Sequence, residues 1–275
     1  MRNLHEKVVA ITGAASGIGR ALAIELAKHG CVLALSDVDV KGLGETAEAL
    51  PSGISFSTHI VDVANQARVI EWAGEVVNEH GCVDIIINNA GVASVASIEE
   101  IKQEDFNWVF DICFFGVLYG SKAFMPYLKK RKERYIVNIS RVNGFVPFPN
   151  NGPYNCAKHA VKALNQTMMQ ELRDSSVKVL SVHPGGIKTN IARNSRVLGS
   201  AAENDGANRI VSRFDRAAST TAEKTAEMVV QGILKNKKRV LVGTDAIVMD
   251  IFTRLFPQKF SDYVGKIAML SPIHI

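Results

Sequence analysis

The chain has 275 residues, 47% apolar and 21% charged, which is the balance of a soluble globular protein rather than a disordered or membrane one. That length holds one large α/β domain or two small ones, each with a real core. The net charge of +5 is too modest to imply a nucleic-acid partner: its densest runs, KKRKER at 129–134 and KNKKR at 235–239, close helical patterns, where solvated cations suit the helix end.

MRNLHEKVVAITG enters a strand pattern at once, with no apolar leader and cleavage site, and no unbroken apolar run reaches the ~18 residues of a membrane span. The expectation is a cytoplasmic protein. Cys31, Cys82, Cys113 and Cys156 are scattered, so neither a disulfide framework nor a metal site is expected. In chain order, strand-like runs fall at 8–12, 31–36, 54–60, 83–87, 135–140, 177–182 and 239–243. Between them lie helical patterns near 18–29, 41–50, 65–80, 104–130, 154–174 and 221–235, then a tail at 245–275 that reads as one or two amphipathic helices. Such alternation predicts an α/β fold, one doubly wound Rossmann-like domain with a parallel sheet covered on both faces. Ligands of such sheets bind beyond the carboxyl ends of the strands, so chemistry is sought there.

After the first strand, TGAASGIGR places Gly13, Gly17 and Gly19 where a tight turn opens a helix, a pattern that admits a pyrophosphate against free N–H groups. Asp37, 24 residues beyond Gly13, ends the second strand; it either accepts bonds from an adenosine ribose or serves as an ordinary turn residue. A carboxylate there, with Ser16 and no cation just before Gly17, favours NAD over NADP. Asp62 follows the third strand, and NNAG at 88–91 follows the fourth, where small and amide residues suit a backbone passing close to a ribose. Tyr154 and Lys158 stand four apart at a helix start and share one face. Alone they fit a surface pair as well as an acid/base pair, since an ammonium beside a phenol favours the phenolate.

Together TGAASGIG, Asp62, NNAG, YNCAK and HPGGIKTN resemble, in order and spacing, the classical short-chain dehydrogenase/reductase family over roughly residues 6–245. The resemblance implies seven parallel strands, an NAD(P) cofactor, and hydride transfer between nicotinamide and an alcohol or ketone carbon. It makes Tyr154 the proton-exchanging group and Lys158 the holder of the nicotinamide ribose. Gly13, Gly17, Ile18 and Gly19 match the pyrophosphate turn, Asp62 and Val63 the adenine contact, and Asn89, Ala90 and Gly91 the ribose wall. Pro184, Gly185, Ile187 and Thr189 match the loop at the nicotinamide carboxamide.

Two positions depart from the family. Thirteen residues before the tyrosine, where the family carries a serine that donates to the substrate oxygen, stands Arg141; Ser140 is one residue early and on the opposite strand face unless the strand end bulges or bends. An asparagine of the long fourth helix is replaced by Cys113. Three readings of Arg141 stay open: an enzyme weakened by loss of a donor worth ~100-fold to 1000-fold, an enzyme whose arginine anchors the substrate, and a dinucleotide-binding chain used without redox chemistry. Residues 190–220 read as a substrate lid, with Arg193, Arg196 and Arg209 either meeting an acidic group or standing as solvated lid cations, and Phe145–Phe148 as an apolar wall favouring an alcohol or ketone with an apolar body. His183 is expected to make core or backbone hydrogen bonds. The apolar surplus of helices 104–130 and 154–174, which pair between subunits in the resembling family, predicts a homodimer or homotetramer.

Overall fold

The computed structural model describes residues 1, 3–130, 132–204, 211, 212, 216 and 218–270. Seven strands form the central sheet: β1 (Val8–Thr12), β2 (Val32–Asp37), β3 (Phe56–Ile60), β4 (Ile85–Asn88), β5 (Arg134–Ile139), β6 (Val177–Pro184) and β7 (Arg239–Val242). They lie in the order β7-β6-β5-β4-β1-β2-β3, every pair parallel, as the alternating pattern requires.

Helices cover both faces: α1 (Gly17–Lys28), α2 (Val40–Glu48), α3 (Gln66–His80), α4 (Gln103–Phe110), α5 (Gly116–Leu128), α6 (Gly152–Glu171) and α7 (Ala222–Leu234). Alternation of side chains along each strand divides the core in two. Val9, Ile11, Leu33 and Leu35 pack with α1 and α7 on one face. Val8, Ala10, Ala34 and Ile86 pack with Trp72, Phe124 and Met168 on the other. Side chains start the helices: Asp39 accepts from Gly42 N at 3.0 Å, Asn65 from Arg68 N at 3.2 Å and Thr221 from Lys224 N at 3.2 Å.

The expected helix at 104–130 is not uniform. A π turn, Asp111–Phe115, joins α4 to α5, and such insertions gather at functional sites. The continuous path Gln103–Leu128 has a most apolar window of mean hydropathy 1.3, so by length and composition it passes for a membrane span, although no unbroken apolar run showed it. Here it packs against α3, α6 and β4. The 245–275 pattern becomes two helices, α8 (Thr244–Leu255) and α9 (Pro257–Leu270).

The run KKRKER does not end wholly in solvent as expected. Arg134, its last residue, already belongs to β5 and is drawn into the fold, where its guanidinium lies 2.7 Å from Asp84 with both side chains at most 5% exposed. Asp84 also accepts from Val8 N at 2.9 Å, tying the pair to β1. Asp84→Ala leaves the buried cation uncompensated and is expected to cost about 3–5 kcal/mol in urea unfolding, whereas replacing both partners by apolar residues costs much less.

Candidate active site

A cleft opens along the carboxyl ends of the strands, where the sheet order reverses between β4 and β1. Its floor at β1 is the glycine turn. Gly13 and Gly17 have φ of 67° and 53°, and a Cβ on Gly13 would lie 2.8 Å from Ala90 Cα, so the turn and the 89–91 segment touch backbone to backbone. Ser16 caps α1 with extended backbone and no side-chain bond to the helix. Asn89 fastens the two segments, donating from Nδ2 to Thr12 O at 3.0 Å and Gly13 O at 3.1 Å.

Gly13, Ser16, Gly17 and Ile18 line this cleft together with Asp37, Asp62 and Val63. Asn89, Ala90 and Gly91 form the next stretch of lining, and Arg141, Tyr154, Lys158, Pro184 and Thr189 the far end. Three expected contact residues lie behind the lining instead. A Cβ on Gly19 would collide with Gly13 O, so this glycine seats α1 under the turn; one on Gly185 would collide with Asp245, whose carboxylate accepts from Gly186 N at 2.7 Å. Ile187 is fully buried in the core. Asp37 lines the cleft and is also a turn residue, accepting from Ala15 N at 3.0 Å, Val38 N at 2.8 Å and Asp39 N at 3.1 Å.

At the far end, Tyr154 and Lys158 project from one face of α6, the Lys158 Nζ 5.4 Å from the Tyr154 ring centre. Lys158 is 2% exposed and donates to Ile139 O at 3.0 Å. Ser140, expected on the opposite strand face, lines the cleft as well, and its hydroxyl donates to the Lys158 carbonyl at 3.1 Å. Arg141, extended at φ −169° and ψ 174° and 7% exposed, lines the cleft together with its neighbours Ile139 and Ser140. Cys113 sits in the π turn, fully buried; its thiol donates to Val92 O at 3.2 Å and accepts from Val92 N at 3.4 Å. Burial pushes that thiol's pKa up, against a smaller opposing pull from Lys158, so it stays protonated and able to donate.

The expected apolar wall is elsewhere. Phe145, Val146 and Phe148 pack against α8 and α9, because Val142–Gly144 turns the chain back as a 3₁₀ helix away from the cleft. Val92, Ile112 and Ile191 supply the apolar lining near Tyr154. Of the lid cations, Arg196 pairs with Asp105 at 2.8 Å and stacks on Trp108, Arg193 donates to Asn190 at 3.0 Å, and Arg209 lies outside the described residues.

One feature had no counterpart in the motif reading. Asn88 donates to Asn138 at 2.7 Å, Asn138 to Asn165 at 2.6 Å, and Asn165 to Ser181 Oγ at 2.8 Å; Ser181 lies 2.9 Å from His183 Nε2, and His183 Nδ1 lies 3.2 Å from Arg141 O. A carbonyl only accepts, so Nδ1 carries the proton and Nε2 accepts from Ser181. The bonds therefore run in one direction from β4 through β5, α6 and β6 to the Arg141 backbone, and every member is at most 4% exposed. His183 thus makes the core and backbone bonds expected of it.

Residues 7–197 match the model of the short chain dehydrogenase family. The chain belongs to the short-chain dehydrogenases. Among curated relatives, SadH of Mycobacterium tuberculosis, named an oxidoreductase, is 38% identical over 271 residues, 96% of each chain. The mouse dehydrogenase/reductase SDR family member 7B is 30% identical over 91% of this chain and 77% of its own. Among solved structures, a short-chain dehydrogenase of Burkholderia phymatum in complex with NAD superposes with a TM-score of 0.85 at 31% identity, covering 94% of this chain and 96% of that one. Levodione reductase superposes with a TM-score of 0.76 at 25% identity, covering 90% and 98%.

In this dehydrogenase fold the polar chain has a measurable pH signature. Burial, and then the charges of Arg239 and Lys162, lower the His183 pKa from 6.5 to about 4, outweighing its bond to the Arg141 carbonyl. A depressed pKa means the stabilising neutral state is fully present above about pH 6.5 and is lost as pH falls towards 4, a change of up to about 3 kcal/mol. His183→Gln is expected to flatten the pH dependence of unfolding free energy across that window.

Proposed function

We propose that this chain is an NAD-dependent oxidoreductase that interconverts a secondary alcohol and a ketone, with Tyr154 as general acid and base. The observation that carries this reading is the placement of Tyr154 and Lys158, 6% and 2% exposed, in one cleft with the Gly13–Gly17 turn. The turn fits a dinucleotide because its positive-φ glycines bring bare backbone to the lining, where a Cβ would fill the space. Gly13, Ser16, Gly17 and Ile18 would hold the pyrophosphate, Asp37 the adenosine ribose, Asp62 and Val63 the adenine. Asn89, Ala90, Gly91 and Lys158 would hold the second ribose, and Pro184 and Thr189 the carboxamide, with Gly19, Gly185 and Ile187 supporting from behind. When bound, NAD supplies a hydride acceptor.

Tyr154 takes the substrate hydroxyl proton in oxidation and returns one in reduction, with the Lys158 ammonium 5.4 Å from its ring centre on the same helix face. Arg20 is already engaged by Ala15 O, Thr46 and Glu45, and Asp37 would repel a 2′-phosphate. Asn190, Ile191 and Asn194 close the substrate side, which supports residues 190–220 as a lid; 205–210, 213–215 and 217 of that stretch lie outside the described residues. Free thiols at all four cysteines suit a cytoplasmic setting. A second reading, dinucleotide binding without turnover, is favoured by one observation: Ser140 has committed its proton to α6.

Purified protein is expected to bind NAD more tightly than NADP by calorimetry, and Asp37→Ala to narrow that difference. Tyr154→Phe is expected to lower NADH formation at least about 1000-fold with NAD affinity retained; equal turnover in that variant would falsify the acid/base assignment. Half-buried rings of Phe106, Phe110, Phe114 and Phe115 pack against one another, mostly tilted or edge-on, with centroids 5.2–6.3 Å apart along α4 and the π turn, which supports a subunit contact. Light scattering is expected to give a homodimer or homotetramer of the 29.9 kDa chain.

A further inference from the structure

We infer that the outward face of α8, together with the open edge of the sheet at β7, docks the protein reversibly on an anionic lipid surface. This site shares no lining residue with the dinucleotide cleft and does not depend on the oxidoreductase reading. The first support is the pattern of α8. Ala246 and Met249 pack inward with Val142, Val146 and Phe148, and the helix lies against β7, the 142–144 turn and α9. A helix with one such buried side is ordinarily polar on the other. Here Ile247, Ile251 and Leu255, spaced four apart on one outward stripe, are 44%, 48% and 65% exposed, with Val248 beside them at 49%. A contiguous apolar stripe of this kind marks a contact with a second apolar medium.

The second support is the charge that borders the stripe. Ile247 also lines a groove beside β7, the outermost strand, where Met228, Val240 and Leu241 complete the apolar lining. The charged residues of that groove are Lys224, Glu227, Lys235, Lys237 and Arg239. Glu227 is held by Lys224 at 2.8 Å, and Arg239 is held by Asp250 at 2.6 Å. That leaves Lys235 and Lys237, with Lys238 next to them, as exposed ammonium groups without a carboxylate partner among the described residues. Lysines beside an apolar face keep their charge at lipid headgroups while their stems and that face enter the acyl boundary. A second copy of the chain suits this surface less well. A two-fold contact sets the patch against itself, lysines against lysines, and charged side chains beside an edge strand resist pairing with another strand. An anionic bilayer complements the lysines with its headgroups and the stripe with its acyl boundary.

The test is cosedimentation of the 275-residue chain with extruded vesicles, either of phosphatidylcholine alone or of phosphatidylcholine and phosphatidylserine in equal parts, at low and at raised salt. Two variants accompany wild type, each checked for folding by its thermal transition. Ile251→Gln with Leu255→Gln keeps the charge and removes the stripe; Lys235→Ser, Lys237→Ser and Lys238→Ser together keep the stripe and remove the charge. Wild type is expected to pellet with the phosphatidylserine vesicles, to stay in solution with phosphatidylcholine alone, and to be released by raised salt. The lysine variant is expected to lose about 100-fold in partition coefficient, since each cation near an anionic surface contributes about fivefold. The glutamine variant is expected to lose at least about tenfold, because the stripe no longer favours the acyl boundary. Failure of wild type to pellet with phosphatidylserine vesicles, equal binding to both vesicle types, or unchanged binding in either variant overturns the proposal. If no vesicle binds and light scattering of lipid-free protein shows a smaller oligomer in the glutamine variant than in wild type, the stripe is a subunit contact and the lipid site is withdrawn.

Discussion

Two hydrogen bonds running in opposite directions clamp α6 onto the end of β5, and the site is organised around them. Lys158 Nζ donates up to Ile139 O at 3.0 Å, and Ser140 Oγ donates back to Lys158 O at 3.1 Å. The approach is close enough that a Cβ on Gly144 would lie 2.7 Å from Ser140 Oγ and 2.8 Å from Lys158 O, so only glycine fits above the clamp. Because one lysine contributes both its ammonium and its carbonyl, the helix cannot slide or rotate without losing both bonds. Tyr154, one turn earlier on the same face, inherits its position from this lock.

Beneath the clamp the amide chain does related work across the sheet. An apolar residue at Asn138 or Asn165 would satisfy the burial pattern equally well, but each link would then strand a buried donor or acceptor at a cost of about 1–3 kcal/mol. The chain is fully directional, so it also settles the amide orientations and the His183 tautomer without recourse to solvent. Its end on the Arg141 carbonyl couples the interior of the sheet to the single residue that gives this cleft its unusual charge.

What was legible in the sequence follows from which forces act locally. Strand and helix periodicities gave all seven strands and their order of appearance, since parallel strands buried on both faces read as unbroken apolar runs. The glycine turn, Asp37 and the Tyr154–Lys158 pair were legible because each sits where a strand ends or a helix begins. Other features depended on partners distant in sequence. Arg134 looked like one more surface cation until Asp84, fifty residues earlier, proved to meet it. Phe145–Phe148 looked like a substrate wall because they neighbour Tyr154 in the chain, yet α8 and α9, a hundred residues on, claim them. Asn138 and Asn165 carried a visible signal, amides inside apolar runs, but their pairing needed the fold.

The two departures from the family pattern have different physical weight. Asparagine and cysteine differ in donor strength, but the loop at Val92 asks only for one group that accepts from its N–H and donates to its carbonyl, and a protonated thiol does both with a single atom. The π turn places that atom against the segment carrying Gly91, so the cleft wall keeps its position. Serine and arginine do not exchange in this way. Both donate hydrogen bonds, but the arginine adds a permanent charge to a lining that already holds Lys158. Ser140, the neighbouring donor on the same lining, already gives its proton to the Lys158 carbonyl, so the exchange at 141 alters the polar character of the cleft where the exchange at 113 leaves its wall intact.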